Sequence, residues 1–353
     1  MFKKLLSVIC ILTLVMMTIP AAAETITWKC QSMYGAGQPN YKNFVQFCED
    51  VKTMSGGRLI IKPLSAKTIV PTFELLDAIQ AGVLEAMHTG AVYYSGKEAG
   101  LALVTDLIYA WTAPWEAEGW FYYGGGKELL NEYYNKYGIT AIGVVQWGFE
   151  SFPAKFPINS MADYKGHKFR SPQGMTADTL GKLGAGVVIL PGGEVYSALD
   201  KGVVEGTDWG TPSMNMALGF NQVCKYFVYP EHRSLPMSEF SVRIEKWNAL
   251  SDDLKRIVEV AVRKWNVHNL QTLGVLDAEA VNKWVGQGGQ ALNWGKEARN
   301  DMRTFVRKEI WPLWSGRSAF AKKVLTSQVN WMVKIGTVSP EEADGMKAAG
   351  VID

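Results

Sequence analysis

Two stretches of this chain run in parallel. At an offset of 120, Glu74 to Gly90 falls on Glu194 to Gly210 and matches Glu74 with Glu194, Ala78 with Ala198, Gly82 with Gly202, Val83 with Val203, Glu85 with Glu205 and Gly90 with Gly210. Each stretch closes the same series of elements. In the first, TITWKC reads as a strand, PNYKNFVQFCEDVKTMSGG as an amphipathic helix ended by glycines, RLIIKPL as a strand, PTFELLDAIQAGVLEA as a helix and VLEAMHTG as a strand. In the second, KFR, a helix from Gly174 to about Leu183, VVIL, the helix EVYSALDKG and VVEGTDWG repeat that order. Strands alternating with helices imply parallel sheets. The expectation is therefore an α/β fold of two similar lobes with parallel-rich sheets and a cleft between them.

Length agrees with that expectation, since 353 residues exceed what one core usually serves. The lobes are expected mainly at 24–145 and 146–240. The remainder, 241–353, reads as helical: Ser251 is placed to cap DDLKRIVEVAVRKW, with Leu254, Ile257, Val258 and Ala261 at helix spacing. Residues 1–23 read differently. Lys3 and Lys4, an apolar run from Leu5 to Ile19 and then Pro20 and three alanines form a secretory signal, cut after Ala23. A membrane anchor is the competing reading, but the run is short for a bilayer.

Removing that segment takes two lysines from the 36 basic residues and leaves 34, against 34 acidic ones. A neutral chain has no cationic excess to drive counterion release, so nucleic acid is not an expected partner. Cys30, Cys48 and Cys224 remain and none stands in a CxxC pair, which leaves metal-finger and thioredoxin chemistry without a basis. Cys30 and Cys48 either pair or are core thiols.

In open parallel sheets, ligands sit beyond the carboxyl ends of the strands. Those ends carry Gln146 and Trp147, Arg170, and Asp208 and Trp209. An arginine there can hold a carboxylate by two parallel hydrogen bonds; the competing reading is a surface ion pair. Gln146 adds a donor and an acceptor, while Trp147, Trp209, Tyr93 and Tyr94 supply flat walls, so the set describes a pocket for a short organic acid. Asp208 would repel such a guest unless it accepts a ligand hydroxyl, donates through a proton or holds a cation. With Gln146, the Trp209 carbonyl and Glu239 it could make an oxygen-only site for sodium or calcium; a helix cap is the alternative. His88, which matches Asp208 in the repeat, either lines the cleft or is a structural histidine. The absence of GxSxG and HExxH gives an enzyme no recognisable nucleophile or metal helix, and no catalytic residue is assigned.

The segments FYYGGGKELLNEYY, KGHKFRSP, GGEVYSALDKGVVEGTDW and LGFNQVCKY resemble the DctP-type solute-binding proteins of tripartite ATP-independent periplasmic (TRAP) transporters, over nearly the whole mature chain. That resemblance implies a periplasmic-binding-protein-like fold with C-terminal helices bracing both lobes, a periplasmic location, and capture of one organic acid for delivery to membrane subunits. It also implies a monomer or homodimer, no required cofactor, and a sodium or calcium ion as an option. By resemblance Arg170 clamps the ligand carboxylate, and Gln146, Asp208 and Trp209 contact ligand or metal. The chain departs from the keto-acid branch around FPAKF and in YPEHRSLPMSEF, so Glu239 is a provisional last metal ligand, with His232 or Arg233 as alternative ligand contacts. The binding protein of an ATP-driven importer and, further off, a secreted enzyme are the competing functions.

Overall fold

The computed structural model describes residues 25–190, 192–230 and 235–353; the signal segment, His232 and Arg233 lie outside the described residues. In chain order its strands are β1 (Ile26–Ser32), β2 (Leu59–Leu64), β3 (Ala86–Thr89), β4 (Ile139–Gln146), β5 (Phe152–Ala154), β6 (Lys168–Ser171), β7 (Gly186–Ile189), β8 (Gly206–Thr207), β9 (Tyr226–Val228), β10 (Met237–Arg243) and β11 (Gln290–Leu292). They form two sheets, ordered β2-β1-β3-β10-β4 and β11-β9-β5-β8-β6-β7. Within each, the repeated strands are parallel, as their helical crossovers require.

The two sheets share one topology, and one strand of each arrives from elsewhere in the chain. In the first sheet β10 lies antiparallel between β3 and β4; in the second β5 lies antiparallel between β8 and β9. The chain thus crosses from the first lobe to the second after β4 and returns after β9. This corrects the expected limit of the second lobe, because Met237 to Phe240 belong to the first sheet. FPAKF, where the chain departs from the keto-acid branch, supplies β5.

The sequence repeat is a repeat of contacts. Gly82 and Gly202 both stand at positive φ, 75° and 73°, and donate to the carbonyls of Ile79 and Leu199 at the same 3.0 Å. That left-handed conformation is the one glycine adopts without a Cβ penalty. Glu85 and Glu205 each accept from a main-chain N–H of the neighbouring strand, Lys29 N at 2.7 Å and Lys168 N at 3.1 Å.

Helix Asp252–Gly286 spans both lobes, about 52 Å at 1.5 Å per residue. Its first half buries Leu254, Val258, Ala261, Val262 and Trp265 against the first sheet, and its far end stacks Trp284 on Phe227 of the second at 4.4 Å. Ser251 occupies the N-cap position, but its hydroxyl donates to the Asp253 carboxylate at 2.5 Å and accepts from no N–H of the helix. The last four helices, from Lys296 to Ala348, pack mainly on the first lobe. They reach the second where the Trp314 indole and Arg317 donate to Asp178 at 2.8 and 2.6 Å. Cys30, Cys48 and Cys224 are unpaired buried thiols, all pushed upward in pKa by desolvation.

Asp277 joins the long helix to the second lobe. Its Oδ1 accepts from Thr211 Oγ1 at 2.7 Å, Ser213 N at 2.9 Å and Ser213 Oγ at 2.5 Å. Asp277→Ala strands those buried donors and is expected to cost about 2–3 kcal/mol. Urea unfolding checks this, and an unchanged midpoint would show that the helix docks by apolar contact alone.

Candidate functional site

Arg170 sits on β6, the strand flanked by β7 and β8, and is 1% exposed. An always-charged group is buried at such cost only with acceptors around it. Here main-chain carbonyls supply them: Nε and Nη2 donate to Leu190 O at 2.8 and 2.6 Å, and Nη1 donates to Asp208 O. The guanidinium also lies 5.3 Å from the centre of the Trp209 ring, within cation–π range. Asp208 is likewise buried, and its carboxylate accepts from Ser171 Oγ at 3.2 Å.

The first lobe carries the same framework with neutral groups. Gln31 on β1 donates through Nε2 to Val70 O at 2.7 Å, the carbonyl that matches Leu190 O. Ser32 Oγ meets His88 Nδ1 at 3.0 Å, as Ser171 meets Asp208. His88 is fully engaged, with Nε2 at 2.9 Å from Ser238 Oγ and its ring against Trp265 at 4.5 Å. Burial lowers its pKa to about 3, so it is a neutral structural histidine.

Between the lobes, Met33, Tyr34, Trp147 and Met214 cluster with Tyr93 packed on them. Beside them lies a cavity of about 220 Å³ lined by residues of both lobes, among them Lys67, Phe73 and Tyr93 from the first and Gly192, Gly193 and Trp209 from the second. The Tyr93 hydroxyl is desolvated, which raises its pKa, and the Arg170 charge opposes that rise from across the cleft. Gly192 is obligatory by contact: a Cβ there would lie 1.9 Å from the Trp209 ring. Three buried donors in these walls have no hydrogen-bond partner, Tyr34 OH, Trp147 Nε1 and Trp209 Nε1. A charged clamp, unpaired donors and aromatic walls suit a small anion bearing a second polar group.

The structure brings together Arg170, Asp208, Trp209, Trp147 and Tyr93. It does not bring Tyr94 to them. Of the two expected tyrosine walls, Tyr94 donates its hydroxyl to Thr89 Oγ1 at 3.1 Å within the first lobe, while its neighbour Tyr93 faces the cleft. Glu239 is a second correction. Because β10 joins the first sheet, its carboxylate accepts Ala91 N at 3.0 Å and Tyr134 OH at 2.7 Å, away from Asp208. No group of three or more His, Cys, Asp or Glu that could hold a metal occurs among the described residues. Gln146 stands at the end of β4 with its amide donating to Pro114 O at 3.1 Å, and its Oε1 is buried without a partner. That oxygen and the Asp208 carboxylate are hard donors of the kind sodium and calcium accept. Tyr34, Met33 and Met214 were not expected; Tyr34 follows β1 closely, a position that the 120-residue offset does not cover.

The sequence pattern of the DctP family, bacterial extracellular solute-binding protein family 7, matches residues 31–314. A monocarboxylate 2-oxoacid-binding periplasmic protein of Nostoc sp. is 28% identical over 79% of this chain and 77% of its own length. A TRAP periplasmic solute-binding protein of Colwellia psychrerythraea, solved with calcium and pyruvate, is similar at TM-score 0.81 and 25% identity, covering 89% of this chain and 96% of that one. An apo open structure from Rhodobacter sphaeroides, 35% identical over 89% of this chain and 99% of its own, superposes at 0.73. The lower identity with the higher superposition accords with lobes that lie close here: a Cβ on Gly193 would fall 3.2 Å from Lys67 Nζ, and one on Gly174 3.6 Å from Val92.

Burial pushes the Glu239 carboxyl up to about 8 from an ordinary 4.5, against the hydrogen bonds that lower it. A raised folded-state pKa means that Glu239 stabilises the fold fully below about 4.5 and loses that contribution as pH rises to about 8. Glu239→Gln is expected to remove this part of the stability slope. Denaturant midpoints of both proteins across that range test it, and parallel curves would refute the buried acid.

Proposed function

We propose that this chain, which belongs to the DctP family of bacterial extracellular solute-binding proteins (family 7), captures a small organic acid between its lobes and delivers it to the membrane subunits of a TRAP-type transporter. The carrying observation is the buried guanidinium of Arg170, held in a fixed plane by Leu190 O and Asp208 O and faced by Tyr93 of the opposite lobe. A carboxylate entering there meets an aligned cation without the cost of ordering a long side chain, and closing the lobes strips the water that would screen the pair.

A 2-oxo or 2-hydroxy acid fits best, because Tyr34 OH and Trp147 Nε1 offer unpaired donors for a second oxygen. The 2-oxoacid specificity of the Nostoc relative and the pyruvate in the Colwellia structure support that class. The periplasmic relative supports the same location for this chain, and among the described residues no helix is long and apolar enough to cross a membrane. A resident sodium or calcium ion would be held by Asp208, the Trp209 carbonyl and Gln146 Oε1, without Glu239. The ion would add positive charge beside the bound acid. Binding needs no reaction, and no catalytic role is assigned to any residue.

Pyruvate is expected to raise the melting temperature of the wild type and not that of Arg170→Ala, since leaving a buried carboxylate unpaired costs about 3–5 kcal/mol. Arg170→Lys should fail as well, because one ammonium cannot reproduce the fork that reaches both carbonyls and the guest. A full shift in either variant would remove the clamp. Calcium chelation in sodium-free buffer should weaken binding, and unchanged affinity would remove the ion while leaving the clamp in place. Chemically unaltered pyruvate recovered from the heated complex separates a binder from an enzyme.

A further inference from the structure

Away from the cleft, a second cavity of about 630 Å³ opens between helix Lys296–Glu309 and helix Pro340–Ala348. Small-molecule pockets fall at about 300–1,000 Å³. One wall is cationic, with Arg303, Arg307 and Lys308; the other is apolar, with Met346 and Val351 among its residues; Glu342 is the acid in the lining. Arg303 and Arg307 are four residues apart on one helix, so they share a face where like charges disfavour each other.

Their hydrogen bonds relieve that conflict at Arg307, which pairs with Glu342, but not at Arg303. Arg307 Nη1 donates to Glu342 at 2.9 Å and its guanidinium lies over Trp311 at 5.1 Å, while Arg303 Nη1 donates to Asn300 at 3.3 Å. The Nε–H groups of both arginines are buried without a partner. Glu116 is the other acid whose charge reaches Arg303, but both its carboxylate oxygens accept from Thr112, at 2.7 Å each. Desolvation, Arg307 and Arg299 all lower the pKa of Arg303, the direction expected of a cation short of negative charge.

We infer that this cavity is a second binding site, separate from the cleft, for a small amphiphilic anion. The acidic head lies between Arg303 and Arg307, and the apolar part rests on Met346 and Val351. Nothing in this assignment depends on what the cleft binds.

Calorimetric titration of octanoate into Arg170→Ala tests it with the cleft clamp removed. One saturable site is expected. Arg303→Gln should weaken it by about tenfold or more, the loss of one charge-assisted hydrogen bond, and Lys308→Gln, at an exposed position, should weaken it less. Acetate keeps the head without the chain and octanol the chain without the head; both should bind far more weakly. Circular dichroism melts confirm that each variant folds, and Lys308→Gln keeps the test decisive if Arg303→Gln does not. The site is overturned if Arg170→Ala shows no saturable octanoate binding, if both variants bind octanoate like their parent, or if acetate binds as tightly. Retention on anionic phosphatidylglycerol vesicles that octanoate does not displace would also overturn it, in favour of a lipid surface.

Discussion

A guanidinium taken out of water must be surrounded by acceptors, and main-chain carbonyls of its own lobe accept from Arg170. That choice has consequences. Carbonyls at strand ends are fixed by the sheet, so the plane of the guanidinium is set by β6, β7 and β8 before any guest arrives. They also carry only partial charge, so the positive charge of Arg170 is not cancelled there by a main-chain partner. Asp208, whose carbonyl is one of those acceptors, has its carboxylate engaged by Ser171. The result is a cation pre-positioned by backbone geometry, the condition under which a carboxylate adds affinity and not merely orientation.

The first lobe shows what the same framework does without a charge. Gln31 stands where Arg170 stands, Val70 where Leu190 stands and His88 where Asp208 stands, with matching serines beside them. Gln31 uses its amide wholly on the loop after β2, donating to Val70 O and accepting from Ile69 N and Val70 N at 2.8 and 3.2 Å. Burial keeps His88 neutral, with Ser32 and Ser238 at its two ring nitrogens. Two lobes of common plan therefore divide the work. In the first, Gln31 and His88 keep the framework itself uncharged, with Tyr34, Tyr93 and Lys67 at the cleft, and the second supplies the buried charge of Arg170.

The parts legible in the sequence were those that local pattern determines. The period of β1 to β3 and β6 to β8, the glycine pairs at helix ends and the arginine at a strand terminus follow from short-range rules. Tertiary pairing was not legible. Residues 237–240 follow the second lobe in the chain and were assigned to it, yet β10 pairs with β3 and β4 across long sequence separations, and this carried Glu239 away from Asp208. The choice between Tyr93 and Tyr94 was equally hidden. Adjacent residues in the short helix Ala91–Tyr94 point apart, and the hydroxyl of Thr89 decides which of them turns inward. Tyr34 escaped because the repeat was aligned only from Glu74 onward, while β1 and β6 stand 139 residues apart, as Ser32 and Ser171 do.

The exchange of β5 and β10 between lobes also bears on how such a cleft can close. Each exchanged strand is hydrogen-bonded on both sides within its adopted sheet, so the crossings tether the lobes at fixed strand ends. The freedom that remains is rotation about the crossings. The long helix narrows even that: Asn266 and Asn269 hold the main chain of Gln146 at the first crossing, at 2.8 and 2.7 Å, while Asp277 grips the second lobe about 16 Å further along the same helix. One rigid element thus touches the pivot and the moving body. A guest that brings Tyr93 and Arg170 together then need supply only the free energy of a small rotation, because the fold has already limited the directions in which the lobes can move.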